Sequence, residues 1–404
     1  MRLVGEAMKI YEIGTGYTSI PANKGAATEI VVENLSSALI KLGHDVTVVD
    51  IEDRNRLVTD LPIVEVGMPG GFSGTDEALG IRHKLKRVVY SVKLAGVLSR
   101  LLQSTPRGER VVLHFHNQYN AFFYYKLVPV ALRKRAIVAY TVHSYIWHDA
   151  WDEIEGTIKK RYFQEVEAMR RADIVFVLNE DARDKIVEHV GVSAENTVVV
   201  DNGVDVNTYR PLATEKVDTL RKSLGLEGMH ALLQVGSVCD RKNQLGAIKA
   251  LEPLIKKAAN VVYLYAGGII DEEYKAEIDD YVDMHGIANN VRYLGELKPG
   301  VELNEYFNVS TCSVFATKAE AFGLVVIESL SSGCPVLCSP SLCFDLAGAE
   351  KYTDAADLRD KVSRLITCED YRKDVSNAGR NAVVERYSWN KVAADSIRAF
   401  SIIL

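Results

Sequence analysis

The sequence predicts an α/β protein with two domains, each built around a doubly wound parallel sheet. Three observations indicate this fold class. The chain has 404 residues, enough for two or three domains at the usual ~100–200 residues each. Short β-branched runs alternate with helical patterns, which is typical of parallel sheets covered by helices. The alternation also starts twice, once near the amino terminus and again after residue 211.

The first series of elements lies within residues 1–205. Its candidate strands are rich in Val and Ile, which favours buried β-structure. In chain order they are KIYEI, VTVV, VVLHFH, IVAYTV and IVFVL. Helical patterns over Ala26–Leu42 and Glu153–Arg171 fit between them.

The second series lies within residues 206–386. Its candidate strands are ALLQVG, VVYLYAGG, VRYLG, CSVFAT and PVLCS. Helices are predicted over Gln244–Lys257, over Glu272–His285 and near Gly323–Ser332. We therefore predict two Rossmann-like domains that face a central cleft, where the carboxyl ends of open α/β sheets bind ligands.

Charge, hydropathy and cysteine usage exclude several classes of function. The 48 Lys and Arg against 54 Asp and Glu give a net charge of −6, which disfavours a general nucleic-acid binder. No uncharged apolar run reaches the ~18–20 residues that span a bilayer, and residues 1–10 lack the apolar stretch of a secretory signal. We expect a cytoplasmic protein. The six cysteines lie in no C-x-x-C pair, so we expect buried reduced thiols rather than a zinc site.

The loop after the first candidate strand, Gly14–Ser19, nearly matches the dinucleotide fingerprint G-x-G-x-x-G. The third glycine is missing, and the next helix begins only after Lys24–Ala27. A nicotinamide site is therefore disfavoured. Two interpretations remain: a small-residue turn whose helix-start amides meet an anion or an acceptor, and a plain glycine-rich turn.

A second loop, Val235–Asn243, follows ALLQVG and precedes a helix. It places Arg241 and Lys242 at the carboxyl end of a strand. Phosphate recognition uses this chemistry, with Lys as a point charge, Arg as a fork and helix-start amides behind them. Loop cations are also commonly just solvated, so this loop alone does not decide between a phosphate site and a solvated loop.

The most informative segment runs from Glu320 to Val336. Seven residues separate the carboxylates of Glu320 and Glu328, and they include Gly323 and an apolar run. This pattern indicates a helix N-terminus rather than a solvated face. The segment then ends in S-S-G-C-P-V, a turn into another buried strand. Here the chain resembles the retaining glycosyltransferases of family 4, whose fold is called GT-B.

Other motifs spread over most of the chain carry the same resemblance. The family's interdomain segment is similar to Asn202–Asp205 with Tyr209–Pro211, and its glycine-to-lysine loop is similar to Gly236 with Lys242. Its acceptor-side loop resembles Gly25–Ala27, its sugar-site histidine resembles Thr141–His143, and the start of its last helix resembles Tyr387–Trp389. The resemblance implies an acceptor-side domain over 1–205, a donor-binding domain over 206–386 and a terminal helix over 387–404 that packs back on the first domain.

The resemblance implies that the second domain binds a nucleoside diphosphate-sugar, linked to UDP or GDP. Arg241, Lys242 and helix-start amides would neutralise the leaving diphosphate. Glu328 would bind the ribose hydroxyls, and Glu320 would hold the sugar ring. The catalytic positions implied here are Arg241, Lys242 and Glu320, and the donor-binding positions are Gly236, Ser237, Phe322, Gly323, Leu324 and Glu328.

The resemblance implies that the first domain serves a glycan, lipid-linked or small-molecule acceptor. His143 would join the catalytic set, and Gly25, Ala26 and Ala27 would form the acceptor-side loop. Retention in this family is usually assigned to front-face displacement, in which the leaving phosphate takes the acceptor proton. No cofactor and no metal are expected, and the sequence contains no D-x-D pair for a metal-bridged diphosphate.

One position departs from the family pattern. The family often has Arg directly after the loop glycine, where this chain has Ser237. A serine hydroxyl does not replace that cation. Two interpretations remain: Arg241, four residues later, compensates for it, or the donor binds more weakly or is a different one. The region after Pro340 is also shorter than is usual in the family.

Two further features of the sequence each allow two interpretations. His114 and His116 alternate on VVLHFH and share a face, where they serve either as satisfied core residues or, as we assign His116, on the acceptor side. Two such histidines without a third ligand do not predict a metal site. Residues 81–102 carry six Lys and Arg and no acid, which fits either peripheral contact with an anionic membrane or a packed helix with a cationic outer face.

The leading functional hypothesis is transfer of a sugar from a nucleotide donor. Another two-domain protein of the same fold, a nucleotide-sugar epimerase, is the alternative among enzymes. A non-catalytic homologue that only binds nucleotide-sugars is the alternative outside enzymes, because Ser237 weakens the phosphate site.

Overall fold

The computed structural model describes residues 7–22, 27–70, 81–106, 108–148, 151–342 and 345–403, without the side chains of residues 81–84, 145 and 148. The chain forms two compact units. One comprises Met1–Gly203 with Trp389–Leu404, and the other comprises Val204–Ser388. Each is an α/β unit around a parallel sheet, which confirms the predicted fold class.

The first unit contains a seven-stranded parallel sheet with strand order 3-2-1-4-5-6-7. Its strands are β1 (Lys9–Ile13), β2 (Asp45–Ile51), β3 (Ile63–Val66), β4 (Val111–Phe115), β5 (Ala136–Thr141), β6 (Ile174–Val177) and β7 (Thr197–Val199). Strands β4, β5 and β6 are buried along their whole length, as expected where helices cover both faces. The register pairs Glu12 of β1 with His114 of β4.

The second unit contains a six-stranded parallel sheet with strand order 10-9-8-11-12-13. Its strands are β8 (His230–Val235), β9 (Val261–Ala266), β10 (Val291–Tyr293), β11 (Cys312–Phe315), β12 (Val336–Cys338) and β13 (Ala349–Lys351). The loops that follow β8 and β11 lie at the same edge of this sheet, because the two strands are parallel neighbours.

Helices connect the strands and cover the sheets. They are α1 (Ala27–Lys41), α2 (Ile81–Ser104), α3 (Gln118–Leu127), α4 (Val130–Arg133), α5 (Trp151–Arg161), α6 (Phe163–Arg171), α7 (Glu180–Lys185), α8 (Thr214–Ser223), α9 (Gln244–Lys257), α10 (Glu272–Met284), α11 (Val301–Val309), α12 (Leu324–Ser331), α13 (Ala355–Thr367), α14 (Glu369–Arg386) and α15 (Trp389–Ile403). Side chains of Asn117, Asp271 and Asp354 cap α3, α10 and α13 by accepting amide hydrogen bonds. Among the described residues, no helix combines the length and apolar character needed to cross a bilayer.

The last helix, α15, packs against α1 within the first unit. The ring of Trp389 lies directly on Gly203, where a Cβ atom would come within 2.6 Å of the indole. Glycine is therefore required at position 203 by this close approach. The motif N-G-V-D thus has a packing role where the chain passes from one unit to the other.

Two predictions need correction. The single helix predicted over Glu153–Arg171 is broken at Tyr162 into α5 and α6. The break occurs without Pro or Gly at that position, so periodicity alone does not show it. Buried thiols were predicted throughout, but Cys239 is partly exposed and Cys368 is exposed, while three other described cysteines are buried, namely Cys312, Cys334 and Cys338.

Candidate functional site

The loops after β8 and β11 bring together three of the predicted catalytic residues. Arg241 and Lys242 lie in a 3₁₀ turn, Asp240–Lys242, ahead of α9. The Lys242 ammonium forms an ion pair with Glu320, and Arg241 Nη1 lies 3.6 Å from the same Glu320 oxygen. Arg241 also donates a 2.8 Å hydrogen bond to the carbonyl of Ala319. We call Arg241, Lys242 and Glu320 the cation cluster.

The Glu320 carboxylate of the cation cluster is ionised, and the cluster is partly open to solvent. Burial acts to raise the pKa of Glu320, but the charges of Lys242 and Arg241 and the hydrogen bonds of its carboxylate outweigh burial and lower that pKa. The Lys242 side chain is 14% exposed and that of Arg241 is 31% exposed. An anion can therefore reach the two cations from solvent.

Two glycines allow the backbone to pass close to the cation cluster. A Cβ atom on Gly267 would collide with the carbonyl oxygen of Gly236, and one on Gly236 would lie 3.3 Å from the Lys242 side chain. Gln244 Nε2 donates to the carbonyl of Ser237 at 3.0 Å and fixes the loop backbone. The predicted positions Gly236 and Ser237 thus lie beside Lys242, with Gly236 serving its close packing.

Helix α12 begins beside the cation cluster. Gly323, with φ of +101°, precedes its first residue, Leu324. Phe322 is buried, and its ring contacts Tyr387 at a centroid distance of 6.0 Å. The Phe322 side chain therefore serves packing, and any ligand contact at this residue would come from its backbone.

Glu328 differs from Glu320 in its environment. It lies inside α12 and is nearly buried. Burial raises its pKa to about 7, although a hydrogen bond from the Tyr209 hydroxyl acts in the opposite direction. The same hydroxyl accepts a 2.9 Å hydrogen bond from the amide of Gly300. Tyr209 is a residue that the sequence analysis quoted only as part of a motif, and its contact with Glu328 gives it a place in the site.

The first unit contains a second buried cluster, at the ends of β1, β4 and β5. Glu12 accepts hydrogen bonds from His114 Nδ1 at 3.1 Å and from His116 Nε2 at 2.8 Å. His116 Nδ1 lies 3.0 Å from His143 Nε2, and His114 Nε2 lies 2.7 Å from Thr141 Oγ1. We call Glu12, His114, His116 and His143 the histidine cluster.

The sequence analysis missed Glu12, although the signal is present. It is an acidic residue inside the buried run KIYEI, at the position that the parallel register pairs with His114. Burial acts to raise its pKa, but the charge of His114 and the hydrogen bonds from both rings lower it to about 2. Burial lowers the pKa of His116 to about 4. The cluster thus holds an ionised carboxylate against a neutral His116.

Glu12, His114 and His116 are the described residues whose ligand atoms lie close enough to hold a metal ion. Their facing atoms are already hydrogen-bonded at 2.8 and 3.1 Å. Ligands at tetrahedral angles on bonds of about 2.0 Å lie roughly 3.3 Å apart. The observed distances therefore fit an internal hydrogen-bond network.

His116 does not have the exposure that its predicted acceptor-side role requires. Its side chain is fully buried, and both ring nitrogens are bonded to Glu12 and His143. His143, in contrast, is partly exposed in the loop after β5. His116 therefore affects a ligand through its hydrogen bond to His143.

The acceptor-side loop is described only in part. Gly25 and Ala26 lie outside the described residues, and Ala27 is the exposed first residue of α1. Two residues later, the buried Glu29 accepts a hydrogen bond from Thr15, and burial raises its pKa to about 7. Glu29 is a buried polar residue at this loop that the sequence analysis did not identify.

Helix α2 directs two of its cations towards the loop at Gly14–Ser19. Lys86 is buried, and the Arg87 guanidinium lies 4.2 Å from the centre of the Tyr17 ring. The Tyr17 hydroxyl accepts a 2.8 Å hydrogen bond from Asn117. Lys86 and Arg87 are therefore not part of an outer cationic face of α2.

Two family models match the chain in succession. The model for Glycosyltransferase Family 4 matches residues 28–208, and that for glycosyl transferases group 1 matches residues 216–382. The D-inositol 3-phosphate glycosyltransferase of Thermobifida fusca is 31% identical over 180 residues, which are 41% of this chain and 39% of that protein.

A second relative matches over a longer span. The alpha-monoglucosyldiacylglycerol synthase of Streptococcus pneumoniae is 24% identical over 339 residues, 79% of this chain and 69% of that protein. Anabaena HepE, crystallised with UDP and glucose, shares the fold with a TM-score of 0.73 at 15% identity, over 98% of this chain and 99% of HepE. Together with the two parallel-sheet units, these matches show that the chain belongs to glycosyltransferase family 4, has the GT-B fold and is a glycosyltransferase.

Proposed function

We propose that this glycosyltransferase moves a hexose from a UDP- or GDP-linked donor to a glycan, lipid-linked or small-molecule acceptor, with retention of configuration. The observation that carries the proposal is the cation cluster. Two cations and a carboxylate from separate loops converge beside the start of α12, as a sugar diphosphate requires. UDP is the first donor nucleotide to test, because HepE was crystallised with UDP and glucose.

In this proposal the cation cluster serves the leaving group. Lys242 and Arg241 neutralise the diphosphate, and Arg241 supplies the charge that Ser237 does not provide. Glu328 accepts hydrogen bonds from the ribose, and Glu320 stabilises the sugar ring as positive charge develops on it. Two side-chain cations do the work that a metal ion does elsewhere, so we propose that the reaction needs neither metal nor cofactor.

The proposed chemical step needs no protein nucleophile. The bond between the sugar C1 and the phosphate oxygen breaks, and a bond from C1 to the acceptor oxygen forms on the same face of the ring. The acceptor hydroxyl passes its proton to the leaving phosphate. Proton NMR of the first product formed tests this step, because an inverted anomer would contradict it. Release of an epimerised nucleotide-sugar without transfer would contradict the transferase itself.

Binding of UDP tests the assignment of Glu328. We expect Glu328→Gln to weaken UDP binding by about 1–3 kcal/mol, the scale of a hydrogen bond to a charged group. The pKa of Glu328 is raised to about 7, so its acceptor form is lost as pH falls through 7. Calorimetric titrations of the wild-type protein should therefore show UDP affinity rising from pH 6 to pH 8.

The variant and a control make this test specific. The pH dependence should flatten in Glu328→Gln and persist in Glu273→Gln, which changes an exposed carboxylate on α10. A wild-type protein that binds neither UDP nor GDP would overturn the proposed function. Normal UDP affinity in Glu328→Gln would overturn only the ribose assignment.

We also propose that α2 touches an anionic membrane surface on the cytoplasmic side. Its described outer face carries exposed apolar side chains at helical spacing, Leu85, Val88 and Val92, beside the exposed cation Lys93. An apolar stripe next to a cation suits the interface of an anionic leaflet. The diacylglycerol in the name of the Streptococcus relative is consistent with a lipid acceptor.

Vesicle sedimentation tests this contact. We expect the protein to bind vesicles with anionic lipid more than neutral ones, and Val88→Asp with Val92→Asp to reduce that binding about tenfold or more. Val384→Asp is the matched control, because Val384 on α14 is 42% exposed and Val92 is 44% exposed. Equal binding by all these proteins would exclude α2 as the membrane surface.

A further inference from the structure

Three buried residues of the histidine cluster are linked to His143 by hydrogen bonds, and a ligand contact by His143 alone would not require them. Four groups form a continuous hydrogen-bonded chain from the interior to the partly exposed ring: Glu12, His116 and His143 in sequence, with His114 as a branch. Each histidine ring has one proton to place when it is neutral, and its partners decide which nitrogen carries it.

The carboxylate at the inner end fixes the tautomer of His116. Glu12 has only acceptor oxygens when ionised, so His116 Nε2 must carry the proton that bridges the two groups at 2.8 Å. The neutral ring of His116 then has a lone pair on Nδ1. That lone pair faces His143 Nε2 at 3.0 Å.

The tautomer of His143 follows from that of His116. Because His116 Nδ1 accepts, His143 Nε2 must donate, and the proton of the neutral His143 ring is used in this bond. Burial and the neighbouring histidines keep the pKa of His143 well below its usual value, which agrees with a neutral ring. Within the described part of the chain, His143 Nδ1 has no hydrogen-bond partner.

We propose that Glu12 and His116 are positioning residues that hold His143 as its Nε2–H tautomer, so that Nδ1 accepts a hydrogen bond from a sugar hydroxyl. The ligand chemistry is thus an O–H donor and not a phosphate oxygen, which an unprotonated nitrogen repels. The assignment of that hydroxyl to a sugar rests on the proposed function. The assignment of the tautomer rests on the hydrogen-bond geometry and on the neutral state of His116, and not on the proposed function.

The test is the tautomeric state of His143 in the full chain, measured by two-bond proton–nitrogen correlations on protein with labelled histidine. The chain has nine histidines, and the signals of His143 are those lost in His143→Gln. We expect the wild-type ring to carry its proton on Nε2. A proton on Nδ1 in the wild-type protein would overturn the proposal.

Two variants break the chain of bonds at different points. Glu12→Met removes both acceptor oxygens at similar volume, and we expect a mixture of both His143 tautomers. His116→Leu removes both the donor to Glu12 and the acceptor for His143, so it gives the same mixture and serves if Glu12→Met does not fold. A pure Nε2–H tautomer of His143 in His116→Leu would contradict the proposed relay.

A control and a kinetic measurement separate positioning from structure. Thr141→Val removes the 2.7 Å contact with His114 Nε2 and should leave the spectrum of His143 unchanged. In His116→Leu, we expect kcat to fall about tenfold, the scale of one hydrogen bond, while UDP affinity is retained. Because the spectra need no catalysis, an inactive wild-type protein would affect the proposed function and not the tautomer.

Discussion

Lys242→Ala is expected to lower kcat by on the order of 10²–10³, the usual effect of removing a charge that stabilises a transition state. Charge develops on the diphosphate as the bond to the sugar breaks, and the Lys242 ammonium is the cation of this cluster that is paired directly with Glu320. Turnover with UDP-sugars or GDP-sugars measures the effect. Wild-type turnover in the variant would show that Lys242 is not part of the reaction.

Two controls separate charge from folding. Lys318→Ala changes an exposed ion pair with Asp240 on the neighbouring loop, and such pairs contribute little to stability or function. The double variant Lys242→Ala with Glu320→Gln also removes the carboxylate that the first change deprives of its nearest cation. It should regain thermal stability without regaining turnover, because the cation is still absent.

Glu320→Gln is expected to lower kcat by roughly 10²-fold without weakening UDP binding. The sugar ring gains positive charge in the transition state, so a nearby carboxylate stabilises that state more than the bound donor. The lowered pKa of Glu320 keeps the carboxylate ionised at neutral pH. Measuring turnover and UDP affinity on one preparation tests whether the variant changes kcat more than affinity.

Glu328→Gln is the comparison variant for this prediction, because it should change affinity and kcat in a different proportion. Glu328 is assigned to the ribose, which changes little during the reaction, so its loss should reduce affinity more than kcat. If Glu320→Gln loses UDP while Glu328→Gln binds it normally, the two roles are exchanged. If neither variant changes either quantity, the E-x7-E motif is structural.

Most central strands were predictable because a buried parallel strand must be apolar along its length. KIYEI and VVLHFH correspond to β1 and β4 with at most one residue of difference. The edge strands β3, β7 and β13 were missed because they are only partly buried and have three or four residues each, too few to show a period. The break between α5 and α6 was missed because Tyr162 is an ordinary helix-compatible residue.

The site was predictable where residues lie next to each other in sequence and less so where strands bring them together. Arg241, Lys242 and Glu320 were identified from their loops. Glu12 became visible only through the register of β1 on β4. Lys86 was counted as a surface cation because helical spacing does not show which face packs on a neighbouring loop, and it is buried.

The ion pair between Lys242 and Glu320 means that the unliganded site already contains an anion. Under the proposed function, a diphosphate that binds Lys242 exchanges places with the Glu320 carboxylate instead of releasing a counterion from solvent. The displaced carboxylate is then free to turn towards the sugar that arrives with the phosphate. In this proposal, binding of the diphosphate half of the donor thus releases the carboxylate that acts on the sugar half.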